Sequence, residues 1–190
     1  MEKKLVYVTG NEGKFKEAQL FFRRYAPGLM LAQLPLDIQE IQSMDQEEVA
    51  VDKAKKAWTQ VGKPLLMNDG GIFFERYNQF PGILSKFVMQ GLGFEGVKKL
   101  IQPGDRAFFR MCLVYIDGDN SYKTFEGKCE GTLITPPLSD AINSLPYDSI
   151  FIPDGASETY AALRARGEVD EYSYHMRALR KFLAWFHTYQ

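Results

Sequence analysis

The fold class follows from one segment, Leu5-Val6-Tyr7-Val8-Thr9-Gly10-Asn11-Glu12-Gly13-Lys14. Its first five residues are apolar or β-branched, a composition that favours a strand. Gly10 to Gly13 interrupts this run, and between Lys14 and Tyr25 the apolar residues recur at helical spacing. The segment therefore predicts a strand, a glycine-containing loop and a helix, which is how α/β folds are built.

A second helix and two further strands are predicted downstream. Leu29 to Leu36 favours a strand, and a helix with a polar start runs from Asp45 to near Gly62. The apolar run Pro64-Leu65-Leu66-Met67 predicts a buried strand that ends in the turn sequence Asn68-Asp69-Gly70-Gly71. Ligands of α/β sheets bind at the carboxyl ends of strands, so we expect the functional site there.

The second half of the chain has a different pattern. Three runs are typical of strands, namely Ala107 to Ile116, Ser121 to Glu126 and Lys128 to Ile134. Short turns such as Asp117-Gly118-Asp119-Asn120 join them, which predicts an antiparallel portion. Ser157 to Arg166 and Glu171 to His187 have helical patterns, and the second is amphipathic. Because no linker, repeat or low-complexity segment interrupts the chain, we predict one α/β domain over residues 1–190.

Composition and charge disfavour several classes of protein. The 190 residues are 45% hydrophobic and 25% charged, which is typical of a globular chain and not of a disordered one. Lysine and arginine number 23 against 24 acidic residues, and the net charge of −1 disfavours nucleic acid or an anionic membrane as a partner. Two cysteines are too few for a disulfide scaffold, and no apolar run is long enough to cross a bilayer. The first residues turn polar too soon for a secretory signal, so we expect a cytoplasmic protein.

The loop after the first strand is a candidate phosphate site. Thr9-Gly10-Asn11-Glu12-Gly13-Lys14 leads into a helix N-terminus, where backbone N–H groups and the helix dipole favour an anion. Lys14 adds a full positive charge. The loop is not a Walker sequence, which has four residues between its glycines and a Lys-Ser/Thr pair. Taken alone, it is equally compatible with an ordinary glycine turn followed by a solvated lysine.

Acidic residues follow the second and third predicted strands. Asp37 and Glu40 come after Leu34-Pro35-Leu36, and Asp69 comes after Leu65-Leu66-Met67. Carboxylates at strand ends beside a phosphate loop suit Mg²⁺, which prefers oxygen ligands and bridges to substrate phosphates. Taken alone, Glu40 is better explained as a surface acid, and turn chemistry explains Asp69 equally well.

Taken in order, these segments resemble the inosine/xanthosine triphosphate pyrophosphatase family, whose members hydrolyse non-standard purine nucleoside triphosphates. The matching segments are Thr9-Gly10-Asn11-x-x-Lys14, Asp37-Ile38-Gln39-Glu40-Ile41-Gln42, Lys53-Ala54, Asp69-Gly70-Gly71-Ile72, Phe80-Pro81-Gly82 with Ser85-Lys86-Phe87, and Tyr147-Asp148-Ser149-Ile150-Phe151-Ile152-Pro153-Asp154-Gly155. Each segment is weak alone, but their order and spacing agree with the family over almost the whole chain.

The resemblance implies an α/β fold with an elongated mixed β-sheet flanked by helices, two lobes around a central nucleotide cleft, and a homodimer. It implies Mg²⁺-dependent cleavage between the α and β phosphates, which yields a nucleoside monophosphate and pyrophosphate. By the same resemblance, Asp69 is the catalytic carboxylate, and it holds the metal together with Glu40. The substrate-binding residues that the resemblance implies are Thr9, Asn11, Lys14, Lys53, Lys86, Tyr147, Asp148, Ser173, Tyr174 and His175.

The chain departs from the family pattern at two places. The family usually has two adjacent acids where this chain has Asn68-Asp69, so one negative charge is missing from the predicted metal site. The family's Ser-His-Arg motif falls on Ser173-Tyr174-His175, and its upstream base-contacting lysine falls on Val169. We therefore expect altered base recognition. His175 also has a second interpretation, as a packing or surface residue of an aromatic-rich helix.

Two other functions compete with an enzyme. The first is a nucleotide-binding protein of the same fold with weak or lost hydrolysis, which Asn68 and the altered segment at Ser173 to His175 suggest. Release of pyrophosphate separates it from an enzyme. The second is a structural or interaction domain in which the Gly10 loop is incidental and aromatic residues such as Trp185 form an interface. This second alternative leaves the carboxylates and lysines unexplained.

Overall fold

The described part of the chain, residues 3–135 and 146–189 of a computed structural model, contains a seven-stranded mixed sheet and five α-helices. The strands are β1 (Lys3–Val8), β2 (Leu29–Leu34), β3 (Leu65–Phe74), β4 (Pro81–Gly82), β5 (Arg106–Gly118), β6 (Ser121–Leu133) and β7 (Phe151–Pro153). The helices are α1 (Glu12–Tyr25), α2 (Gln46–Val61), α3 (Ser85–Lys98), α4 (Tyr160–Arg166) and α5 (Tyr174–Tyr189). The strand order is β2-β1-β3-β5-β6-β7, and β4 pairs with β3. No helix in these two ranges is long and apolar enough to span a membrane.

The chain divides into two compact units. The first comprises the described residues of Met1–Asp69, Met111–Gly127 and His175–Gln190, and the second comprises those of Gly70–Arg110 and Lys128–Tyr174. Each unit has its own cluster of buried apolar side chains. The mixed sheet and the helices confirm the α/β class that the sequence predicts.

The first unit contains the predicted succession of strands and helices. β1 lies between β2 and β3 and is parallel to both. Helix α2 buries three small side chains completely, Ala50, Ala54 and Ala57, in one cluster with residues of β1, β3 and β5. The helix begins after Asp45, whose side chain accepts hydrogen bonds from two backbone N–H groups, and ends at Gly62 in the left-handed conformation. The sequence predicts both ends of this helix correctly.

Aromatic packing dominates the core of the second unit. The ring of Phe109 on β5 lies 4.9 Å from that of Phe151 on β7 and 5.5 Å from that of Tyr160 on α4, measured between ring centroids. β7 is antiparallel to β6. β5 and β6 are neighbours joined by two residues, a connection that only antiparallel strands can have. The predicted antiparallel portion is therefore present.

The boundaries of several predicted elements were wrong. β3 does not end at Met67 but continues to Phe74, so Asn68 and Asp69 lie within a strand and not in a turn. β3 has β5 as a neighbour in the sheet, and β4 also pairs with it at Ile72 and Phe73, so hydrogen-bond partners are present beyond the glycines. The two strands predicted on either side of Gly127 form the single strand β6. Helices α4 and α5 begin three residues later than predicted.

We predict that Gly71→Ala destabilises the protein, because a Cβ at this position would collide with the backbone carbonyl of Gly82 on β4. Such overpacking against backbone lowers the free energy of unfolding by about 1 to 3 kcal/mol. The matched control is Gly91→Ala in α3, where a Cβ meets no atom within 4 Å. Alanine should be neutral there or stabilise the helix by up to about 1 kcal/mol. Urea unfolding of the two variants measures the difference, and equal stability would contradict the clash.

Candidate active site

The loop between β1 and α1 is shaped by its own side chains. Asn11 is the N-cap of α1, and its side-chain oxygen accepts a hydrogen bond from the backbone N–H of Lys14 at 3.0 Å. The backbone N–H of Asn11 donates to Oγ1 of Thr9 at 3.2 Å. Asn11 is exposed and Thr9 is half-buried. The predicted phosphate loop is therefore an ordered helix start that presents polar groups to solvent.

Lys14 extends from this helix start to the strand β3. Its Nζ donates a hydrogen bond to Oδ1 of Asn68 at 2.8 Å. The amide nitrogen of Asn68 in turn donates to the hydroxyl of Tyr7 on β1. Tyr7 is fully buried. Burial lowers the pKa of Lys14, with Lys53 acting in the same direction and Asp69 opposing it. The ammonium group thus lies in surroundings where an added anion would be attracted strongly.

Three charged side chains meet beside this lysine. Nζ of Lys53 on α2 lies 2.6 Å from Oε1 of Glu40 and 3.0 Å from Oδ2 of Asp69. The side chains of Lys53 and Asp69 are 13% and 10% exposed, whereas that of Glu40 is 41% exposed. The cluster therefore has a buried ion pair at its base and one carboxylate at the surface.

Burial and charge act in opposite directions on these groups. Burial raises the pKa of the Asp69 carboxyl above its ordinary value, although the ammonium groups of Lys53 and Lys14 oppose the shift. For Lys53, burial lowers the pKa, but the carboxylates of Asp69 and Glu40 outweigh it and hold the pKa above its ordinary value. A carboxylate with a raised pKa is a better proton acceptor than an ordinary surface aspartate.

Two residues that support the cluster were missed in the sequence. Gln46 on α2 is buried and donates from Nε2 to the backbone oxygen of Asp69 at 3.3 Å. Tyr7 orients the neighbouring Asn68. A glutamine directly after the helix cap Asp45, and a hydroxyl in the apolar strand from Leu5 to Val8, were the only signals available. Neither residue type indicates which distant residue it will contact.

The second unit contains five of the predicted substrate-binding residues. Lys86 is exposed in the first turn of α3. Tyr147 is buried, donates to the backbone oxygen of Ser85 at 2.8 Å, and has a pKa raised by burial. The carboxylate of Asp148, 5% exposed, accepts a hydrogen bond from Nε of Arg164 at 2.9 Å. These contacts give Tyr147 and Asp148 structural partners, and their binding to substrate stays a prediction.

The segment in which the chain departs from the family pattern is largely buried. Ser173 is fully buried, and the ring of Tyr174 stacks on Phe109 with centroids 5.2 Å apart. His175 belongs to the first unit, where its side chain is 4% exposed and its Nδ1 lies 3.1 Å from Oε2 of Glu17. This environment favours the packing interpretation of His175, and a base contact by these three residues stays a prediction.

The carboxylates of Glu40 and Asp69 fit a magnesium ion by their chemistry. In the described ranges no group of three or more His, Cys, Asp and Glu side chains could enclose a metal ion. Mg²⁺ does not need such an enclosure, because it is commonly held by one or two carboxylates together with waters and the phosphates of a substrate. Glu40 and Asp69 both contact Nζ of Lys53, so the two carboxylates lie close to each other with the lysine ammonium group between them.

Comparison with known proteins identifies the family. The model of the Ham1 family matches residues 5–185. The chain belongs to this family. It is 33% identical over 185 residues to the dITP/XTP pyrophosphatase of Methanopyrus kandleri, with 96% of each chain covered. It is 34% identical over 184 residues to the dITP/XTP pyrophosphatase of Thermococcus kodakarensis, again with 96% of each chain covered. The family resemblance predicted from the sequence is thus confirmed.

Solved structures of Ham1 proteins share the fold. A HAM1 protein from Coxiella burnetii matches with a TM-score of 0.78 and 22% identity, covering 98% of this chain and 99% of the other. The Ham1 protein of Staphylococcus aureus matches with a TM-score of 0.73 and 20% identity, covering 99% and 100% of the two chains. The mixed α/β architecture is therefore that of the family.

We predict that Lys53→Met destabilises the fold, because it leaves the buried carboxylate of Asp69 without its closest positive charge. Removing one partner of a buried pair costs about 3 kcal/mol at neutral pH. The pKa of Asp69 should rise further, so the folded state binds a proton more readily than the unfolded state. The lost stability should then return as the pH falls through the pKa of the folded-state carboxyl.

The matched control for this prediction is Lys56→Met on the same helix. Lys56 pairs with Asp52 at 2.7 Å, but the two side chains are 40% and 28% exposed. Lys56 also donates a hydrogen bond to the backbone oxygen of Gln39, but contacts this accessible to solvent contribute about 1 kcal/mol or less, so the control should lose much less stability than Lys53→Met. Urea unfolding at several pH values compares the two variants. A pH-independent loss in Lys53→Met would contradict the assignment of Asp69 as its cause.

Proposed function

We propose that the protein is a Mg²⁺-dependent nucleoside triphosphate pyrophosphatase that hydrolyses non-canonical purine nucleotides to the monophosphate and pyrophosphate. The observation that carries the proposal is the buried carboxylate of Asp69, held by Lys53 beside Lys14 and the helix start of α1. The family membership supports the same reaction, since two relatives are named dITP/XTP pyrophosphatase and one from Yarrowia lipolytica, 33% identical over 181 residues, is named inosine triphosphate pyrophosphatase.

The triphosphate is assigned to the loop between β1 and α1. The N-terminus of α1 provides the positive end of a helix dipole, and Thr9 and Asn11 add polar side chains beside it. Lys14, in the first turn of α1, contributes a positive charge. Because Lys14 is bound to the neutral amide of Asn68 and not to a carboxylate, its charge is available to a phosphate.

Asp69 is assigned as the group that accepts a proton from the attacking water. Water is a poor nucleophile, and a positioned carboxylate increases its reactivity by removing the proton as the new bond forms. The water oxygen forms a bond to the α phosphorus, the bond between that phosphorus and the bridging oxygen breaks, and pyrophosphate leaves. Lys14 and Lys53 stabilise the negative charge that develops on the leaving group.

Glu40 and Asp69 are the residues that would hold Mg²⁺. When bound, the ion offsets charge on the phosphate oxygens and orients water, which is its usual contribution in phosphoryl transfer. Lys53 contacts both carboxylates in the structure and limits their mutual repulsion.

A second candidate is a nucleotide-binding protein in which hydrolysis is weak or lost. The observation that favours it is Asn68, which supplies no negative charge beside Asp69 and whose oxygen is already bound to Lys14. The two candidates differ in one measurement. An enzyme releases pyrophosphate from a purine triphosphate at a rate that Asp69 controls, whereas a binding protein retains the nucleotide intact.

We predict that Asp69→Asn lowers turnover by about a hundredfold or more, because it removes both the proton acceptor and a metal ligand. Nucleotide binding measured without a metal should change little, since the amide keeps the size of the side chain and Lys14 is retained. Pyrophosphate release in the presence of Mg²⁺ measures turnover, and calorimetry measures binding. Asp119→Asn in the exposed turn between β5 and β6 is the control and should retain wild-type activity. Unchanged turnover in Asp69→Asn would exclude Asp69 from the reaction.

We predict that Lys14→Ala weakens binding of a nucleoside triphosphate much more than binding of the corresponding nucleoside, because its partner is a phosphate oxygen. Loss of a charged hydrogen bond of this kind weakens binding by about tenfold or more. The control is Lys16→Ala, an exposed lysine on the same helix. Equal losses for triphosphate and nucleoside would indicate a general folding defect instead.

We predict weak discrimination among purine bases, because Val169, Tyr174 and His175 occupy the positions that the family resemblance assigns to base recognition. Rejection of a wrong base is strongest where it leaves polar groups of the site unpaired, and Val169 has no side-chain polar group. The ratio of kcat/KM for inosine triphosphate to that for adenosine and guanosine triphosphates measures the selection. A preference in the hundreds would mean that other residues select the base.

A further inference from the structure

A chain of hydrogen bonds connects the core of the first unit with Lys14. Asn68 lies between Tyr7 and Lys14: its Oδ1 accepts from Nζ of Lys14 at 2.8 Å, and its Nδ2 donates to the hydroxyl of Tyr7. Tyr7 is 0% exposed and Asn68 is 7% exposed. The two residues lie on adjacent parallel strands, β1 and β3. A lysine at the helix start is therefore tied to the interior of the sheet.

The direction of these hydrogen bonds follows from the chemistry of the partners. A lysine ammonium has three donors and no acceptor, so only the carbonyl side of the Asn68 amide can face Lys14. The NH₂ side must then face Tyr7, whose hydroxyl accepts the bond. If the Tyr7 oxygen were absent, this donor would lose its partner in a buried position, and the orientation of the amide would no longer be defined.

An amide at position 68 differs from a carboxylate because it does not neutralise the positive charge of Lys14. A carboxylate would pair with the ammonium and compensate its charge, so that an incoming phosphate would have to compete with a neighbouring anion. The amide oxygen holds the ammonium through a dipole only. Lys14 is thereby kept in one of its many rotamers while its charge stays uncompensated by residue 68.

We propose that Asn68 is the positioning residue of Lys14, and that Tyr7 acts through Asn68 by fixing the orientation of its amide. The inference rests on the proposed function in one respect, namely that Lys14 binds a phosphate group of the substrate. It goes beyond that function because it assigns Asn68, which stands where the family usually has an acid, a role in phosphate binding and not only an effect on the metal site. Asn68 and Tyr7 contact neither the reacting atoms nor the phosphate in this account.

The test is binding of inorganic tripolyphosphate in the presence of EDTA, which removes any contribution from a metal or a base. Isothermal calorimetry compares the wild type with Asn68→Leu and Tyr7→Phe, each made in the wild-type chain and in Lys14→Met. In the wild-type chain we expect Kd to rise about tenfold for Asn68→Leu and about threefold for Tyr7→Phe, the size of one lost or weakened polar contact. In Lys14→Met, neither substitution should change Kd by more than about twofold, because the group that they position is gone.

Two matched controls separate positioning from loss of structure. Tyr115→Phe removes another tyrosine hydroxyl, which bonds Asp117 in the same unit, and Asn120→Leu changes an exposed asparagine of the turn between β5 and β6. Both should bind tripolyphosphate like the wild type. If Asn68→Leu does not fold, Tyr7→Phe provides the same test, because it keeps the size and the ring of the side chain.

The outcomes also distinguish this inference from the proposed function. The positioning role is wrong if folded Asn68→Leu or Tyr7→Phe binds tripolyphosphate with a Kd within twofold of the wild type. It is also wrong if either substitution raises Kd by the same factor in Lys14→Met as in the wild-type chain. Pyrophosphate release by the wild-type protein is measured separately with Mg²⁺ and inosine triphosphate. If no pyrophosphate is released while the expected pattern of Kd values is found, the positioning role holds and the proposed hydrolysis is wrong.

Discussion

The ion pair between Lys53 and Asp69 connects the helix α2 with the strand β3 and determines how the site is organised. A carboxylate that is 10% exposed needs a nearby positive charge, because an unpaired ion in this environment costs several kcal/mol. The lysine that provides this charge comes from a helix whose alanines pack in the core of the same unit. The position of Asp69 is therefore set by core packing and by charge at the same time. Gln46, on the first turn of α2, adds a hydrogen bond to the backbone of Asp69.

This constraint explains why the two lysines of the site have different surroundings. Lys53 contacts two carboxylates, which hold its pKa above the ordinary value, and it stabilises Asp69 as an anion. Lys14 contacts a neutral amide, and burial lowers its pKa. Lys53 thus stabilises the carboxylate of Asp69, whereas Lys14 has no carboxylate hydrogen-bonded to its ammonium group in the described residues. In the proposed function, a substrate with several negative charges binds beside Lys14, and the carboxylate of Asp69, paired with Lys53, accepts the proton.

Much of this arrangement could be predicted from the sequence, and the remainder depends on contacts that a sequence does not reveal. The first strand, the helix that follows the glycine loop and the helix ending at Gly62 follow from local propensity and turn chemistry, and all three elements were predicted. The continuation of β3 past Asp69 was missed, because Asn-Asp-Gly-Gly is typical of a turn and pairing with distant strands makes it part of a strand. The bond between Tyr7 and Asn68 joins residues 61 positions apart in the sequence, and no periodicity predicts such a partner.

The central claim is that this protein hydrolyses a nucleoside triphosphate by attack of water on the α phosphorus. Hydrolysis of inosine triphosphate with Mg²⁺ in water enriched in oxygen-18, followed by mass spectrometry of both products, tests it most directly. We expect equal amounts of monophosphate and pyrophosphate, with one labelled oxygen on the phosphate of the monophosphate and none on the pyrophosphate. Label on the pyrophosphate, release of orthophosphate with a diphosphate, or no product above background would contradict the account.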